Sequence, residues 1–423
     1  MKTNKTLLSC AVAFGLASVS TFTQAAGFQL AEYSATGLGR AYAGEAAMAD
    51  NASAQWRNPA MLTYLEGTQV SAGAIYVNPN VDVEGTVNHA QLGKTHASSN
   101  DFAHDAVIPN FYLSHQLNEQ VALGFALGTN YGMETDLGTE FAASHFGSQA
   151  SVISKEANLN IAYQILPQLS IGGGVRYVMG EGHFGATAPA KNVLKLPQGT
   201  TLKYMEGEDN SWGWQVGSAW QINQDHRVGF AYKSEVVMDF EGHAEGVSYG
   251  SYKPGMMSVT LPATAELASF HQLNDQWAIH ASINWTDWSS FKELTAVFPE
   301  KSDLIKSENW EDNYRFALGT TYQYDAKLAL RAGVAYDTSA VDDKNRTATI
   351  PETDRTWVSV GGSYVATPQL TLDAGFTYIF AKDATINEPR DASDQTAAAI
   401  GGAFTGNVSG NVWLIGVQAN YRF

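Results

Sequence analysis

From residue 68 to the C-terminus, apolar and polar positions alternate along the chain. Between Glu156 and Ile165 the odd positions carry apolar or aromatic side chains and the even positions carry mainly polar ones. A period of two is typical of a β-strand with one face in an apolar environment. About fourteen stretches show this pattern, near 68–78, 107–117, 119–131, 155–166, 168–180, 211–222, 226–240, 256–270, 276–290, 312–324, 326–337, 355–366, 369–380 and 411–423.

The connections between these stretches are alternately short and long. The short ones contain turn-forming residues, as in Leu166-Pro167-Gln168. The long ones span 79–106, 132–154, 181–210, 241–255, 291–311, 338–354 and 381–410. This order predicts an antiparallel up-and-down barrel, with the short turns at the periplasmic end and the long loops outside, and an even strand number is typical of bacterial membrane barrels.

The apolar face of these strands is suited to lipid rather than to a soluble core. The strands run to about ten residues or more, against a usual length of about 5–6. Aromatic residues recur eight positions apart on one face, in the pairs Trp212 and Trp220, Trp277 and Trp285, and Tyr314 and Tyr322. Eight residues of a tilted strand rise roughly 20 Å, which approaches the apolar band of about 25 Å between two aromatic girdles. The C-terminal Phe423 is also usual for outer-membrane barrels.

Composition narrows the function further. Charged residues make up 16% of the chain and the net charge is −17, so the cationic surface that nucleic-acid binding requires is missing. Cys10 is the sole cysteine, which excludes an intrachain disulfide and a cysteine-rich metal site. The ten histidines show no metal-ligand spacing. We therefore expect no metal, no cofactor and no nucleic-acid partner.

Residues 1–25 are predicted to be a secretory signal peptide. Lys2 and Lys5 precede an apolar run, and small residues lead to a cleavage position after Ala25. A lipoprotein anchored through Cys10 is the rival interpretation, but too little apolar sequence precedes that cysteine. The chain is therefore expected to be exported and inserted as a barrel.

Residues 26–67 do not alternate and are rich in small side chains. A surface extension at the N-terminus is the alternative interpretation. About fourteen strands, however, enclose a lumen that wall side chains cannot fill. We expect residues 26–67 to form a hatch inside the barrel, and residues 68–423 to form the barrel itself.

Several motifs resemble the FadL family, the long-chain fatty acid transporters of the outer membrane. The similar stretches extend over nearly the whole chain after residue 25. They include Gly27-Phe28-Gln29-Leu30, Gly37-Leu38-Gly39-Arg40-Ala41-Tyr42, Arg57-Asn58-Pro59-Ala60, Thr129-Asn130-Tyr131-Gly132, Tyr232-Lys233-Ser234-Glu235-Val236 and Tyr314-Arg315-Phe316-Ala317-Leu318-Gly319. No single one of these motifs is specific, but the combination is.

The resemblance implies an all-β fold: a monomeric, 14-stranded antiparallel transmembrane β-barrel with an N-terminal hatch, located in the outer membrane of a Gram-negative bacterium. It also implies passive transport of a long-chain fatty acid through apolar pockets, with release into outer-membrane lipid at a kinked third strand. By motif match, Phe28 is expected to touch the ligand, and Asn58-Pro59-Ala60 to lie near the exit. Asn130-Tyr131-Gly132 would form the kink.

The chain departs from the family where basic side chains should meet the ligand carboxylate. His183 is the candidate in one of the two relevant stretches, whereas the other offers Glu311, which has the wrong charge. Lys191 or Lys203 would be substitutes. A channel for other hydrophobic compounds, such as alkylaromatics, therefore stays open as an alternative.

Other functions are less well supported. Gly246-Val247-Ser248-Tyr249-Gly250 has the spacing of a hydrolase nucleophile motif, but it lies between strands rather than between a strand and a helix. Gly172-Gly173-Gly174 lies within a strand and is no phosphate loop. We expect no enzyme. A surface receptor or adhesin, carried by the outer loops, stays open.

Overall fold

A computed structural model describes residues 27–423 as a closed antiparallel barrel of fourteen strands. The ring closes where the last strand pairs with the first, in an unbroken register from Gln69 opposite Arg422 to Asn88 opposite Ala403. The predicted barrel and its strand number are confirmed. The predicted signal peptide, residues 1–25, lies outside the described residues.

Six of the fourteen barrel strands consist of two segments, and a further short segment continues the thirteenth. In chain order the strands are Thr68–His89; Gly93–Ser99 with Ala106–Gln116; Val121–Gly128 with Gly132–Asp136; Gln149–Leu166; Leu169–Thr187; Thr201–Gln221; His226–Lys233 with Val236–Gly246; Gly250–Leu261 with Thr264–Gln272; Trp277–Thr286 with Glu293–Val297; Ser302–Ser307 with Asn313–Gln323; Leu328–Asp337; Arg355–Val365; Leu370–Ala381 followed by Ala384–Glu388; and Ala403–Arg422.

The strands extend further outward than the alternation indicates. The first strand runs to His89 rather than to residue 78, and the sixth begins at Thr201 rather than at 211. Parts of the predicted long loops are therefore strand. Beyond the lipid the outward face of the wall becomes polar, as at Asp82 and Glu84, so the lipid-facing alternation ends while the hydrogen-bonded ladder continues. The inward face there still carries buried apolar side chains such as Val83 and Val87.

The outward face of the wall carries the apolar side chains. Trp212 and Trp220 are 68% and 56% exposed, as expected of side chains that face lipid. Short helices occur only at a few positions of the described chain: Ala35–Leu38, Glu45–Ala47, Ala52–Trp56, Pro59–Tyr64, Trp288–Ser290, Ala392–Asp394 and Gln395–Gly401. None of the helices within residues 27–423 is long and apolar enough to cross a membrane.

Residues 27–67 fill the lumen, and their backbone lies directly against glycines of the wall. A Cβ atom on Gly361 of the twelfth strand would lie 2.6 Å from the Cα atom of Gly39. On Gly172 of the fifth strand it would lie 2.5 Å from the carbonyl carbon of Pro59. Real Cβ atoms do not approach backbone this closely, so the inward glycines make room for the hatch.

Candidate functional site

The third barrel strand is interrupted at residues 129–131. Its first segment pairs with the second strand from Gln116 opposite Ala122 to Phe111 opposite Leu127. Beyond Phe111 the described residues form no continuous ladder between these two strands. The third strand resumes at Gly132, where it pairs with the fourth strand, and Thr135 forms an isolated bridge with Ala103 further outward. The ladder between strands two and three is thus open between the Phe111–Leu127 pair and this bridge, and we call this opening the lateral gap.

The N-terminal end of the hatch is hydrogen-bonded to this interruption. The Gly132 N–H donates to the Phe28 carbonyl at 2.8 Å, and the Leu30 N–H donates to the Asn130 carbonyl at 2.7 Å. Gln29 and Tyr131 form an isolated antiparallel bridge. The structure thus brings Phe28 together with Asn130, Tyr131 and Gly132, which lie about one hundred residues away in sequence.

A buried charged network holds the interrupted strand inward. The Asn130 amide donates to Glu156 at 2.5 Å, and Arg176 donates to both oxygens of Glu156 at 2.8 Å. The amine of Lys233 donates to the Asn130 side-chain oxygen at 3.2 Å. A buried carboxylate with two cationic neighbours and an amide donor is well satisfied. The network fixes Asn130 to strands four, five and seven.

Phe28 lies in a cluster of aromatic side chains. Its ring centroid is 4.6 Å from Trp288, 5.6 Å from Phe291, 6.0 Å from Trp310 and 6.1 Å from Tyr131. These distances are typical of edge-to-face and tilted aromatic pairs. All five side chains are buried, so the cluster closes the lumen behind the gap.

Asn58-Pro59-Ala60 lies at a different part of the wall. The Asn58 side chain accepts from the Ala60 N–H at 3.0 Å and caps the helix that begins at Pro59. Its amide donates to the Ser218 carbonyl of strand six at 3.0 Å. Trp56 lies beneath the end of the first segment of the third strand, since a Cβ on Gly128 would lie 2.9 Å from its indole ring.

An apolar cavity of about 110 Å³ lies in the outer half of the barrel. Its lining includes Val152, Phe184, Met205, Phe240, Met257, Leu294 and Phe298. Phe240 belongs to the same buried hydrophobic cluster as Phe28, and Val152, Phe184, Met257 and Leu294 pack against that cluster. The apolar lining is thus continuous from the outer cavity to the aromatic cluster.

Four neighbouring strands carry glycine at adjacent positions in the wall beside this cavity. Gly182 is paired with Gly207, Gly207 with Gly242, and Gly242 with Gly255 across four neighbouring strands. Gly182, Gly207 and Gly255 line the cavity directly. This wall is therefore bare backbone, which leaves room for an extended apolar ligand.

Lys306 provides a buried positive charge beside the cavity. Its side chain is 4% exposed, and its amine lies 4.7 Å from the ring centroid of Phe184. The amine donates to the Thr349 hydroxyl at 3.2 Å, and no carboxylate of residues 27–423 forms an ion pair with it. Burial lowers the pKa of Lys306, although Glu388 opposes the shift. A buried ammonium with one neutral partner favours the binding of an anion.

His183, the basic residue predicted from sequence, is not part of the aromatic cluster. It is paired with Ser151 on one side and with Glu206 on the other. The side chain of Glu206 is half exposed, and the His183 ring stacks on Tyr204 at 6.0 Å. His183 therefore lies at the rim of the outer cavity. Lys306 could not be identified from the sequence, because a lysine in a predicted outer loop looks like a solvent-exposed side chain.

The buried carboxyl group of Glu388 is expected to make the free energy of unfolding depend on pH. It is 2% exposed and one of its oxygens lacks a hydrogen-bond partner within the described chain. Burial raises its pKa from 4.5 to about 7, although Lys306 and Arg390 oppose the shift. Between pH 4.5 and about pH 7 the Glu388 carboxyl group therefore keeps its proton in the folded state and loses it in the unfolded chain. The free energy of unfolding therefore falls as pH rises through this window.

We expect Glu388→Gln to raise the free energy of unfolding by about 1–3 kcal/mol at about pH 8, and to change it little at about pH 4. The measurement is denaturant-induced unfolding in detergent at both pH values. Glu300→Gln is the control, because that side chain is 71% exposed. A stability gain of equal size at both pH values would contradict the titration of Glu388.

Known proteins resemble the chain over its whole length. The family described as outer membrane protein transport protein (OMPP1/FadL/TodX) matches residues 16–423. A long-chain fatty acid transport protein of Escherichia coli is 32% identical, and the alignment covers 99% of both chains. A 47 kDa outer membrane protein of Pasteurella multocida is 35% identical, over 100% of this chain and 99% of the relative.

Solved structures show the same fold. A FadL homologue of Pseudomonas aeruginosa superimposes with a TM-score of 0.85 at 20% identity, covering 94% of this chain and 100% of that one. The toluene transporter TodX of Pseudomonas putida superimposes with a TM-score of 0.69 at 17% identity, over 94% and 100% of the two chains. At these identities the two likenesses concern the fold alone.

Proposed function

This chain belongs to the FadL family of outer-membrane proteins that transport hydrophobic compounds, and on that premise we propose that its ligand is a long-chain fatty acid. The observation that carries the proposal is Lys306, a buried amine that forms no ion pair with a carboxylate of residues 27–423 and lies beside a continuous apolar path. A hydrocarbon needs no such charge, whereas a fatty acid carboxylate would pair with it.

The apolar path suits passive movement of an alkyl tail. Each CH₂ group gains about 0.8 kcal/mol on transfer from water to an apolar site. A tail that moves from the outer cavity to the Phe28 cluster stays among side chains such as Phe240 and Met257. The concentration gradient then suffices to drive transport.

We further propose that the ligand leaves sideways, through the gap between strands two and three. The hatch occupies the lumen beneath the Phe28 cluster, and its backbone lies against glycines of the wall. The gap adjoins the same cluster, because the Phe28 carbonyl accepts a hydrogen bond from the Gly132 N–H at the interruption of the third strand. An exit into lipid keeps the tail out of water throughout.

The substitution Lys306→Met tests the ligand class. Methionine preserves the length of the side chain and removes its charge. We expect oleate to bind about 10- to 100-fold more weakly, because a hydrogen bond to a charged group contributes about 1.5–3 kcal/mol. Methyl oleate, which carries no charge, should bind equally to both proteins. The measurement is equilibrium binding to the purified barrel in detergent.

Lys301→Met is the matched control, since that side chain is 55% exposed in an outer hairpin and should leave both affinities unchanged. Equal binding of oleate and its methyl ester to the unmodified protein would instead favour a channel for neutral hydrophobic compounds. Binding of neither ligand would contradict transport of such compounds and favour a surface receptor or adhesin.

A further inference from the structure

The indole of Trp288 carries a buried hydrogen-bond donor that finds no acceptor among the described residues. Trp288 is 0% exposed, and its Nε1–H has no partner within the part of the chain that the structure describes. Other tryptophans are satisfied: Trp310 donates to Glu308 at 3.2 Å, Trp357 to Asp337 at 2.7 Å and Trp285 to Asp312 at 2.8 Å. A buried tryptophan usually finds such a partner, so the exception at Trp288 requires an explanation.

Trp288 lies in the centre of the aromatic cluster that contains Phe28. Its ring centroid is 4.6 Å from Phe28, 4.9 Å from Trp310 and 6.5 Å from Tyr131. A Cβ atom on Gly27 would lie 2.8 Å from Cε2, the carbon bonded to the unpartnered nitrogen. The donor therefore lies close to the N-terminal end of the hatch.

The backbone around Trp288 sets the position of the indole. The ninth strand stops at Thr286, and a single helical turn over Trp288–Ser290 follows before the strand resumes at Glu293. The Asp287 N–H donates to the Ala263 carbonyl at 3.0 Å, which ties this turn to strand eight. The indole of Trp288 is thus positioned by strands eight and nine, and it contacts the hatch at Gly27.

A trapped water is a poor explanation for the unpaired donor. An ordered water inside a protein generally needs two to four polar partners. The rings nearest to Trp288 belong to Phe28, Phe291 and Trp310, and the Trp310 N–H is already directed to Glu308. A ligand that places one oxygen here and its apolar remainder among the rings would satisfy the site better.

We propose that the Trp288 N–H donates a hydrogen bond to an oxygen atom of the ligand when the ligand enters the aromatic cluster and displaces the Phe28 ring. The deep site then selects long apolar molecules with an oxygen acceptor, such as carboxylic acids and their esters, over hydrocarbons of equal length. This inference rests on the proposed transport function and adds a second polar contact to the path. Lys306 recognises the charge of the ligand, whereas Trp288 recognises the oxygen atom.

The test compares Trp288→Phe with the unmodified barrel for three ligands of matched chain length: oleate, methyl oleate and octadecene. Phenylalanine preserves an aromatic ring and removes the N–H. We expect oleate and methyl oleate to bind about 10-fold more weakly, as follows from the loss of one hydrogen bond to a ligand oxygen. Octadecene binding should change less than about twofold. Trp285→Phe is the matched control, because its N–H is directed to Asp312 rather than into the cluster.

Two outcomes would overturn the inference. An equal loss for all three ligands would show that Trp288 acts only through packing, and no loss for any ligand would show that its N–H is unused. Lys306→Met is measured in parallel, so that the charge-dependent proposal succeeds or fails independently of Trp288. If Trp288→Phe does not fold, ¹⁵N-indole resonances of the unmodified barrel replace it. One indole signal should then shift with oleate and with the ester but not with octadecene, and no such selective shift would overturn the inference.

Discussion

Replacing Gly172 with valine is expected to lower the free energy of unfolding by about 3 kcal/mol, the upper part of the usual range for overpacked sites. Gly172 faces the lumen on the fifth strand. A Cβ there would lie 2.5 Å from the carbonyl carbon of Pro59 and 2.9 Å from the Cα of Ala60. Both contacts are backbone atoms, so neither can rotate away and the hatch segment itself must move.

Gly173→Val provides the control within the same tripeptide. A side chain at this position would point outward, where the nearest atom to an added Cβ would be 3.5 Å away. Valine also fits a strand better than glycine, so this variant should be neutral or slightly stabilised. Denaturant unfolding in detergent measures both variants. Equal destabilisation of the two would contradict the seating of the hatch on the wall glycines.

Filling the lateral gap by Asn110→Trp is expected to reduce oleate uptake about 10-fold or more, while oleate binding changes less than about twofold. Asn110 is 5% exposed and is the first residue of strand two beyond its last ladder pair with strand three. Neither polar atom of its side chain has a hydrogen-bond partner among residues 27–423. A larger ring there would occupy the proposed exit without touching Lys306.

Val107→Trp is the matched control on the same strand. Val107 is 47% exposed on the outward face, where tryptophan is well tolerated at a membrane interface. Uptake of labelled oleate by cells that lack their own transporter is compared with binding to the purified variants. Unchanged uptake by Asn110→Trp would exclude this gap as the exit.

The barrel could be predicted from sequence because lipid imposes a strict rule on the outward positions. Every second residue of a spanning strand must be apolar, as at Leu159 and Ile161, and this rule places all fourteen strands. The rule ends where the lipid ends. The alternation therefore predicts loops where the structure has the outer parts of the strands, such as 79–89 and 201–210.

The candidate site was only partly accessible from sequence. The motifs that contain Phe28 and Asn130 pointed to two parts of one site, and the structure joins them through backbone hydrogen bonds. Trp288 and Lys306 could not be added by the same reasoning. The closure of the barrel brings Trp288 against Phe28 and Lys306 beside Phe184, which packs against the same cluster. Both lie more than 250 residues from Phe28 in the chain, and a short-range pattern contains no information about such contacts.

The height of the wall has a consequence for where the ligand is collected. The first strand has 22 residues, and at about 3.3 Å per residue and a tilt of about 40° it rises roughly 55 Å, about twice the apolar band. The turns at the periplasmic end are short, so most of this excess projects outward. Outside the lipid the surroundings of the wall are aqueous. A barrel of this height places its apolar cavity beyond the apolar band of the membrane, where an alkyl tail would otherwise be exposed to water.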